Sequence, residues 1–183
     1  EACLESFHSQ NEGKARKELL RRIVLNEDSL DNIRRDMVLY RLPLEEESYC
    51  VAVCRESDGE NGKENVTFQE KLDALVERDQ ACIGTFSMMG VAVLVAQSVT
   101  YSDWKSQLEK RNRRLARKYG SGFKIAIGNN VRSWQEMSCS YESASYLLEQ
   151  TFIFDQEDVL TIDLICGLEK NQDSVSEEYL EML

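Results

Sequence analysis

The chain has few of the residues that most often carry enzyme chemistry. Its single histidine, His8, lies in a polar stretch near the start, so a Ser/His or Cys/His catalytic set has no plausible base. No apolar run reaches the ~18 to 20 residues of a membrane-spanning helix, and no basic start leads into an apolar stretch as in a signal peptide. These absences favour a soluble, cytoplasmic protein without a membrane partner.

The cysteines lack the spacing of a metal site or of a disulfide framework. None of the six forms a Cys-x-x-Cys pair. Cys50 and Cys54 lie on one face of a predicted strand, roughly 13 Å apart at ~3.3 Å per residue, which is too far for a disulfide. No histidine lies nearby to complete a zinc site. We therefore expect buried, small apolar side chains, with no metal and no cofactor.

The net charge is strongly negative. The chain has 33 Asp and Glu residues against 22 Lys and Arg, a formal net charge of −11. Such a chain repels phosphate backbones and anionic lipids, so we expect no direct nucleic-acid binding by it. Its 183 residues, 42% of them hydrophobic, suffice for one sizeable core. We expect one domain with helical extensions.

A basic run stands out against this background. Residues 101–119 predict a long helix with an inner stripe of Trp104, Leu108, Leu115 and Tyr119. Its outer side carries six cations: Lys110, Arg111, Arg113, Arg114, Arg117 and Lys118. A basic run invites a nucleic-acid interpretation, but no aromatic or glycine pattern accompanies it and the rest of the chain is acidic. A solvated face, or a surface that meets an acidic partner segment, is the simpler account.

The clearest pattern is a strand followed by a loop and a helix. Phe123, Ile125 and Ile127 alternate with small or polar residues, as in a strand, and Asn129 and Asn130 then break it. Ser133 is an expected N-cap, with Glu136 three residues on in a capping box. The helix that follows has an apolar stripe of Met137, Tyr141, Ala144, Leu147 and Leu148. This unit lets a sheet bury one face against a helix.

Two helices precede the sheet. Residues 14–25 have an apolar stripe opposite a basic face, which permits two interpretations. The helix packs on its own domain, or Leu19, Ile23 and Val24 form a candidate dimer stripe between parallel helices of two protomers. Ser29 then caps a second helix that runs to about Tyr40 and that Pro43 terminates.

The remaining segments complete an α+β fold. Residues 49–55 and 159–165 predict strands, and Thr67 caps a helix to about Arg78. Residues 82–86 and 91–97 predict a hairpin. The order is strand, helix, strand, strand, helix, strand, helix, strand, and its first six elements are the ferredoxin-like arrangement. We expect an antiparallel-rich sheet with packed helices and N-terminal connector helices.

These elements carry a family resemblance. The hairpin, the basic helix, residues 124–128 (Lys-Ile-Ala-Ile-Gly) and residues 140–144 (Ser-Tyr-Glu-Ser-Ala) resemble a degenerate GGDEF-like domain of the CdaR/PucR type. Similar domains lie between the receiver and the AraC-type DNA-binding domains of bacterial two-component response regulators. The resemblance covers roughly residues 14–166 and also includes residues 42–44 and the Lys-Glu-Leu-Leu-Arg-Arg helix at residues 17–22.

The resemblance implies that the catalytic turn has been lost. Active relatives, the diguanylate cyclases, carry Gly-Gly-Asp-Glu-Phe at the hairpin turn, where the acidic residues hold Mg²⁺. This chain has Ser87, Met88, Met89, Gly90 and Val91 there. Thioethers do not replace the oxygen ligands that hard divalent cations need, so we expect no enzyme. Glu56 and Asp58, after the first strand, are expected to be solvated.

The resemblance also implies a domain plan and two functions. Residues 1–13 are predicted to be a linker, 14–45 a helical connector, 46–166 the degenerate GGDEF-like domain and 167–183 a linker toward a downstream domain. The first function is signal transmission in an AraC-type response regulator, with its receiver and DNA-binding domains and a second protomer as partners. The alternative is an effector sensor that binds an apolar or nucleotide-like molecule in the remnant cleft, lined by residues such as Phe86, Met88 and Met89.

Overall fold

The computed structural model describes residues 2–42, 44, 48–57, 66–150 and 158–163. Its elements, in chain order, are α1 (Ala2–Val24), α2 (Leu30–Leu39), β1 (Tyr49–Glu56), α3 (Phe68–Val76), β2 (Cys82–Met88), β3 (Val91–Gln97), α4 (Tyr101–Tyr119), β4 (Phe123–Ile127), a 3₁₀ turn (Trp134–Glu136), α5 (Met137–Glu149) and β5 (Val159–Thr161). The predictions for Pro43, Asp58 and residues 167–183 lie outside the described residues.

The strands form one sheet in the order β2-β3-β1-β4-β5. All neighbours are antiparallel except β4 and β5, which run parallel. The first four strands, with α3 and α4 between them, have the βαββαβ order of the ferredoxin-like arrangement, and β5 extends the sheet beyond β4. The α+β prediction, with its antiparallel-rich sheet and packed helices, is therefore confirmed.

Both faces of the sheet are buried. The first face packs against α1, α2 and α5, and its central valines are Val51, Val53, Val93 and Val95. The second face packs against α3 and α4 and carries smaller residues: Cys50, Ala52, Cys54, Ala92 and Ala96, together with Leu94. The small side chains leave room for the indole of Trp104, which is fully buried there. The alternation of large and small residues in β1 and β3 thus assigns each face to its own helix layer.

The apolar stripe of α1 packs against the chain's own sheet. Leu19, Ile23 and Val24 are buried in the core of the first face. Gly84 of β2 makes room for the helix, because a Cβ there would lie 2.4 Å from Cδ1 of Leu20. The structure therefore adopts the intramolecular alternative, and these three residues do not form a surface that a second protomer can reach.

Helix α1 begins earlier than the sequence predicts. A linker is expected over residues 1–13, whereas the helix already begins at Ala2. Extending an existing helix needs no new nucleus, so a helix anchored by its packed stripe can propagate through a polar segment. A Cβ at Gly13 would meet nothing within 4 Å, so this glycine lies in open space.

The hairpin turn is tighter than predicted. Residues 87–90 are expected to separate the strands, but Ser87 and Met88 pair with Ala92 and Val91 and belong to β2. Only two residues, Met89 and Gly90, form the turn, with φ of 46° and 81°. A two-residue turn with positive φ at both positions matches the twist of the paired strands.

Two other boundaries fall earlier than predicted. Helix α3 ends at Val76, two residues before Arg78, which has a φ of 61° and so cannot continue a helix. Strand β5 ends at Thr161, because Thr161 pairs with Ile127, the last residue of β4. The predicted strand residues 164 and 165 lie outside the described part of the chain.

The Ser-Tyr-Glu-Ser-Ala segment holds α5 against the end of β4. A Cβ at Gly128 would lie 1.8 Å from the carbonyl oxygen of Ser140, so only glycine allows this approach. The Ser140 hydroxyl accepts from the amide of Val51 at 2.9 Å, because β4 has ended and no strand acceptor remains. Ser143 Oγ accepts from the amide of Asn129 at 2.9 Å and donates to the Ser140 carbonyl. The hydroxyl groups of these serines thus take the place of the backbone acceptors that a neighbouring strand would supply.

Asn112 of α4 performs a similar task at the start of β4. Its amide oxygen accepts from the Phe123 N–H at 2.8 Å, and its amide nitrogen donates to the Phe123 carbonyl at 2.7 Å. This pair of bonds is the one that a neighbouring strand would make. A Cβ at Gly122 would lie 2.7 Å from the Asn112 oxygen, so glycine is needed beside it. The side chain joins α4 to the sheet edge.

An arginine clasp joins α1 to α2. Arg22 pairs with Asp28 at 2.6 Å and with Asp36 at 2.7 Å. Asp36 is only 9% exposed. Its hydrogen bond with Arg22 lowers the pKa of its carboxyl below the ordinary value of 3.8. The clasp therefore fixes α2 beside the Ser29 cap that begins it.

Replacing Gly128 with alanine should lower the free energy of unfolding by about 3 kcal/mol, because the new methyl group overlaps the Ser140 carbonyl. Urea unfolding of wild type and variant measures the change. Gly13→Ala is the matched control, since it adds the same methyl group in open space within a helix and should stabilise by up to about 1 kcal/mol. Equal effects of the two changes would contradict the close approach.

Replacing Asp36 with asparagine should remove stability in a pH-dependent way. A carboxyl whose folded pKa is lowered contributes stability above its unfolded pKa, and this contribution is lost as pH falls through the folded pKa. At pH near 7, the free energy of unfolding of wild type should exceed that of Asp36→Asn by about 1 to 3 kcal/mol. This difference should shrink as the pH falls below 3.8. Urea unfolding across pH measures it. Asp31→Asn, an exposed change on the same helix, should show no comparable pH-dependent difference, and one as large would argue against the clasp.

Candidate functional site

The hairpin turn does not gather its side chains into a site. Met89 is 93% exposed at the tip, whereas Met88 and Val91 are half-buried and pack against the core of the first face. Ser87 is exposed, and a Cβ at Gly90 would meet nothing within 4 Å. The five residues therefore point into different surroundings, with no carboxylate among them.

The cleft expected for an effector is also not formed by its predicted residues. Phe86 is 9% exposed and belongs to the core of the first face, and Met88 packs against the same core. Met89 projects into solvent. The expectation that these three side chains line one cleft is wrong, because residues 86 and 88 share the strand face that the core already covers.

Glu56 has a structural partner and is not simply solvated. As the last residue of β1, it pairs with the ammonium group of Lys71, whose side chain is 6% exposed. Lys71 also donates to Ser121 Oγ at 2.7 Å. A buried ammonium group needs such partners to offset its lost hydration. The pair joins α3 to the end of β1, which corrects the expectation for Glu56.

The cysteines offer no activated nucleophile in the core. Burial raises the pKa of the Cys50 thiol to about 12, and it raises that of Cys54 further. Burial, followed by the nearby Asp79 carboxylate, raises the pKa of Cys82 to about 11. These three thiols stay protonated at neutral pH, and only the thiolate is a strong nucleophile. The prediction that Cys50 and Cys54 are buried and unpaired is confirmed.

The described residues do not assemble a metal site. No group of three or more His, Cys, Asp or Glu side chains among them is arranged to hold an ion. Within the same part of the chain, no helix is both long and apolar enough to cross a membrane.

A basic groove lies between α3 and α4. It has a volume of about 400 Å³. Four cations line it: Arg78, Arg111, Arg114 and Lys118. Glu77 is the one carboxylate of the lining, and Leu115 and Tyr119 contribute apolar surface. The groove is therefore cationic on a chain whose total charge is −11.

Asp79 anchors the groove from behind. Its carboxylate is fully buried and pairs with the Arg111 guanidinium. The same carboxylate accepts from Trp104 Nε1 at 3.3 Å and from the amide of Ala81 at 3.1 Å. Arg111 also donates to the carbonyl of Arg78 at 3.4 Å. Arg111 is thus a fixed cation, whereas the sequence predicts it on a crowded outer face.

The other cations of the groove face solvent. Arg114 and Lys118 are exposed, and neither forms an ion pair with the described residues. Lys118 lies over the Tyr119 ring at 4.6 Å, and its interaction with Tyr119 raises the pKa of its ammonium group. Both side chains are therefore open to an incoming anion.

The sequence predicts the cations but not the groove. Its two walls come from helices separated by the hairpin, which pack on the same core, and the Asp79 and Arg111 pair joins the turn after α3 to α4. One sequence feature does indicate how α4 is oriented. Asn112 is a polar residue on the inner side of this helix, and it marks the helix face that meets the sheet edge. The arrangement can bind an anion through its cations, and it brings together no acid, base and nucleophile among the described residues.

The Asp79 and Arg111 pair should show strong coupling in a double-mutant cycle. Asp79→Asn alone should cost about 2 to 3 kcal/mol of unfolding free energy, since it leaves a half-buried guanidinium with a weaker partner. Coupling with Arg111→Gln should exceed about 1 kcal/mol. The exposed pair of Glu109 and Arg113, tested with Glu109→Gln and Arg113→Gln, should couple by less than about 0.5 kcal/mol. Coupling of the same size in both cycles would show that Asp79 does not anchor the groove.

No protein-family model matches the sequence, and no curated protein matches it significantly.

Proposed function

We propose that this chain is a non-catalytic regulatory domain of a bacterial transcriptional response regulator of the AraC type. It acts in the cytoplasm and transmits a state change from a receiver domain to a DNA-binding domain of the same full-length chain. The observation that carries the proposal is the hairpin tip. The turn that holds acidic metal ligands in cyclases consists here of Met89 and Gly90. Neither side chain offers the oxygen ligands that Mg²⁺ needs.

The resembling segment supports the same conclusion. The hydroxyl groups of Ser140 and Ser143 form hydrogen bonds with backbone groups of β1, of the loop after β4 and of α5. They are therefore not available to a substrate. The residues that carry the resemblance act in packing, so the fold is kept as a scaffold while the reactive turn is absent.

Helix α1 is the element best placed to transmit a signal. Its C-terminal half is buried against the sheet, and Leu20 fits over Gly84 with no space for even a Cβ. A rotation or shift of α1 therefore must disturb β2 and the core of the first face, because a close-packed interior has no room to absorb it. The helix and the sheet respond as a unit.

Dimerisation, if it accompanies this function, uses a surface other than the buried stripe of α1. Leu30, Val38 and Leu39 of α2 are exposed, at 47%, 81% and 66%. The effector-sensing alternative has lost the three residues expected to line its cleft, as described above. Transmission through helix contacts is therefore the better-supported function.

The test uses the full-length regulator that contains this domain. Beryllofluoride, a phosphoryl mimic, switches the receiver, and hydrogen exchange is then followed by mass spectrometry with and without it. We expect changed exchange in α1 and β2. The matched control is a regulator whose receiver phosphoacceptor aspartate is replaced by alanine, which should show no change.

Two results would contradict the proposal. One is exchange in α1 and β2 that stays the same when the receiver is switched. The other is turnover of GTP to a cyclic dinucleotide by this chain in the presence of Mg²⁺ or Mn²⁺, above a protein-free blank.

A further inference from the structure

We propose that the groove between α3 and α4 docks an acidic amphipathic helix of a partner protein domain. The inference rests on the proposed regulatory function, because a transmitting domain needs a second contact surface besides α1. It adds to that function the place of the contact and the chemistry of the partner.

The cations of α4 form a row that fits a helix. Arg111, Arg114 and Lys118 follow one another at i, i+3 and i+7, so they extend about 10 Å along the α4 axis at ~1.5 Å per residue. Arg78 lies at the Arg111 end, where its carbonyl accepts from that guanidinium. Carboxylates at i, i+3 or i+4, and i+7 of a partner helix have the same spacing. A row suits such a helix better than it suits a single compact anion.

The floor of the groove adds an apolar requirement. Leu115 is buried between the cations, and Ala74 and Tyr119 are half-buried beside it. A purely charged ligand would leave this apolar surface exposed to water. An amphipathic helix covers it with aliphatic side chains while its carboxylates reach the cations on either side.

Two of the four groove cations are already paired: Arg78 lies 4.0 Å from Glu77, and Arg111 pairs with Asp79. Glu109 lies within ion-pair distance of both Lys105 and Arg113, so part of the charge on that flank is paired within the chain. Arg114 and Lys118 have no such partner among the described residues. Arg111 is held by Asp79, so one cation is already positioned before binding and loses little freedom when it binds.

The same charges do not favour a nucleic acid. Affinity for a phosphate backbone grows with the number of phosphates neutralised, and a row of about 10 Å meets few of them. The net charge of −11 repels the rest of the strand. An acidic helix segment of about two turns matches the length of the row, so it gains the attraction without extending over the acidic surface.

The experiment measures binding of a fluorescein-labelled helical peptide of about 15 residues, with glutamates at i, i+4 and i+7 and leucines between them. The 183-residue chain is titrated into the peptide and anisotropy is recorded. The test variant is Arg114→Glu with Lys118→Glu. The control is Lys110→Glu with Arg117→Glu, which makes the same charge change on the same helix outside the groove. Arg114→Gln with Lys118→Gln replaces the test variant if that one fails to fold.

We expect the test variant to weaken peptide binding about tenfold or more, and the control to weaken it less than about threefold. A peptide with glutamines in place of its glutamates should not bind. Three results would overturn the proposal: no binding of the acidic peptide, equal loss in both variants, or tighter binding of a single-stranded oligonucleotide of similar length. If the charge-reversed regulator still changes its α1 exchange when the receiver is switched, the regulatory function stands even where the groove proposal fails.

Discussion

The fold depends on the contact between the α5 backbone and the end of β4. Without a side chain at Gly128, the helix comes close enough for Ser140 to supply the acceptor that β1 would otherwise lack. That approach brings Met137 and Leu147 onto the valine face of the sheet. A helix held farther away would leave these side chains short of the sheet and an amide of the central strand without a partner, two costs that act together.

Two buried charges also fix neighbouring elements to one another. Lys71 ties α3 to β1, and Asp79 ties the turn after α3 to α4. Each is a charge whose burial is tolerated only with its partner in place. The contact of Asp79 with α4 also fixes the orientation of the outer face of that helix. The groove on this face therefore depends on contacts made in the interior.

The sequence predicts most elements because their burial patterns are periodic. Phe123, Ile125 and Ile127 alternate, and every strand and helix of the sheet layer was located from such patterns. Element ends are harder, since β5 ends at Thr161, which pairs with the last residue of β4, and the chain becomes helical at Ile162. The task of Asn112 is also hard to predict, because its side chain takes the place of a neighbouring strand and no local pattern indicates this. The groove could not be predicted, since its walls come from two helices that only the folded chain brings together.

The amide of Asn112 has a consequence for the behaviour of the protein in concentrated solution. The outer edge of β4 at Phe123 would be a place where a strand of another molecule could add, because β5 begins to pair only at Ile125. Asn112 occupies both backbone groups there, and β5 itself spans only three residues. Among the described strands, edge-to-edge pairing is therefore disfavoured on this side of the sheet, and the seven residues of β2 form the longer edge.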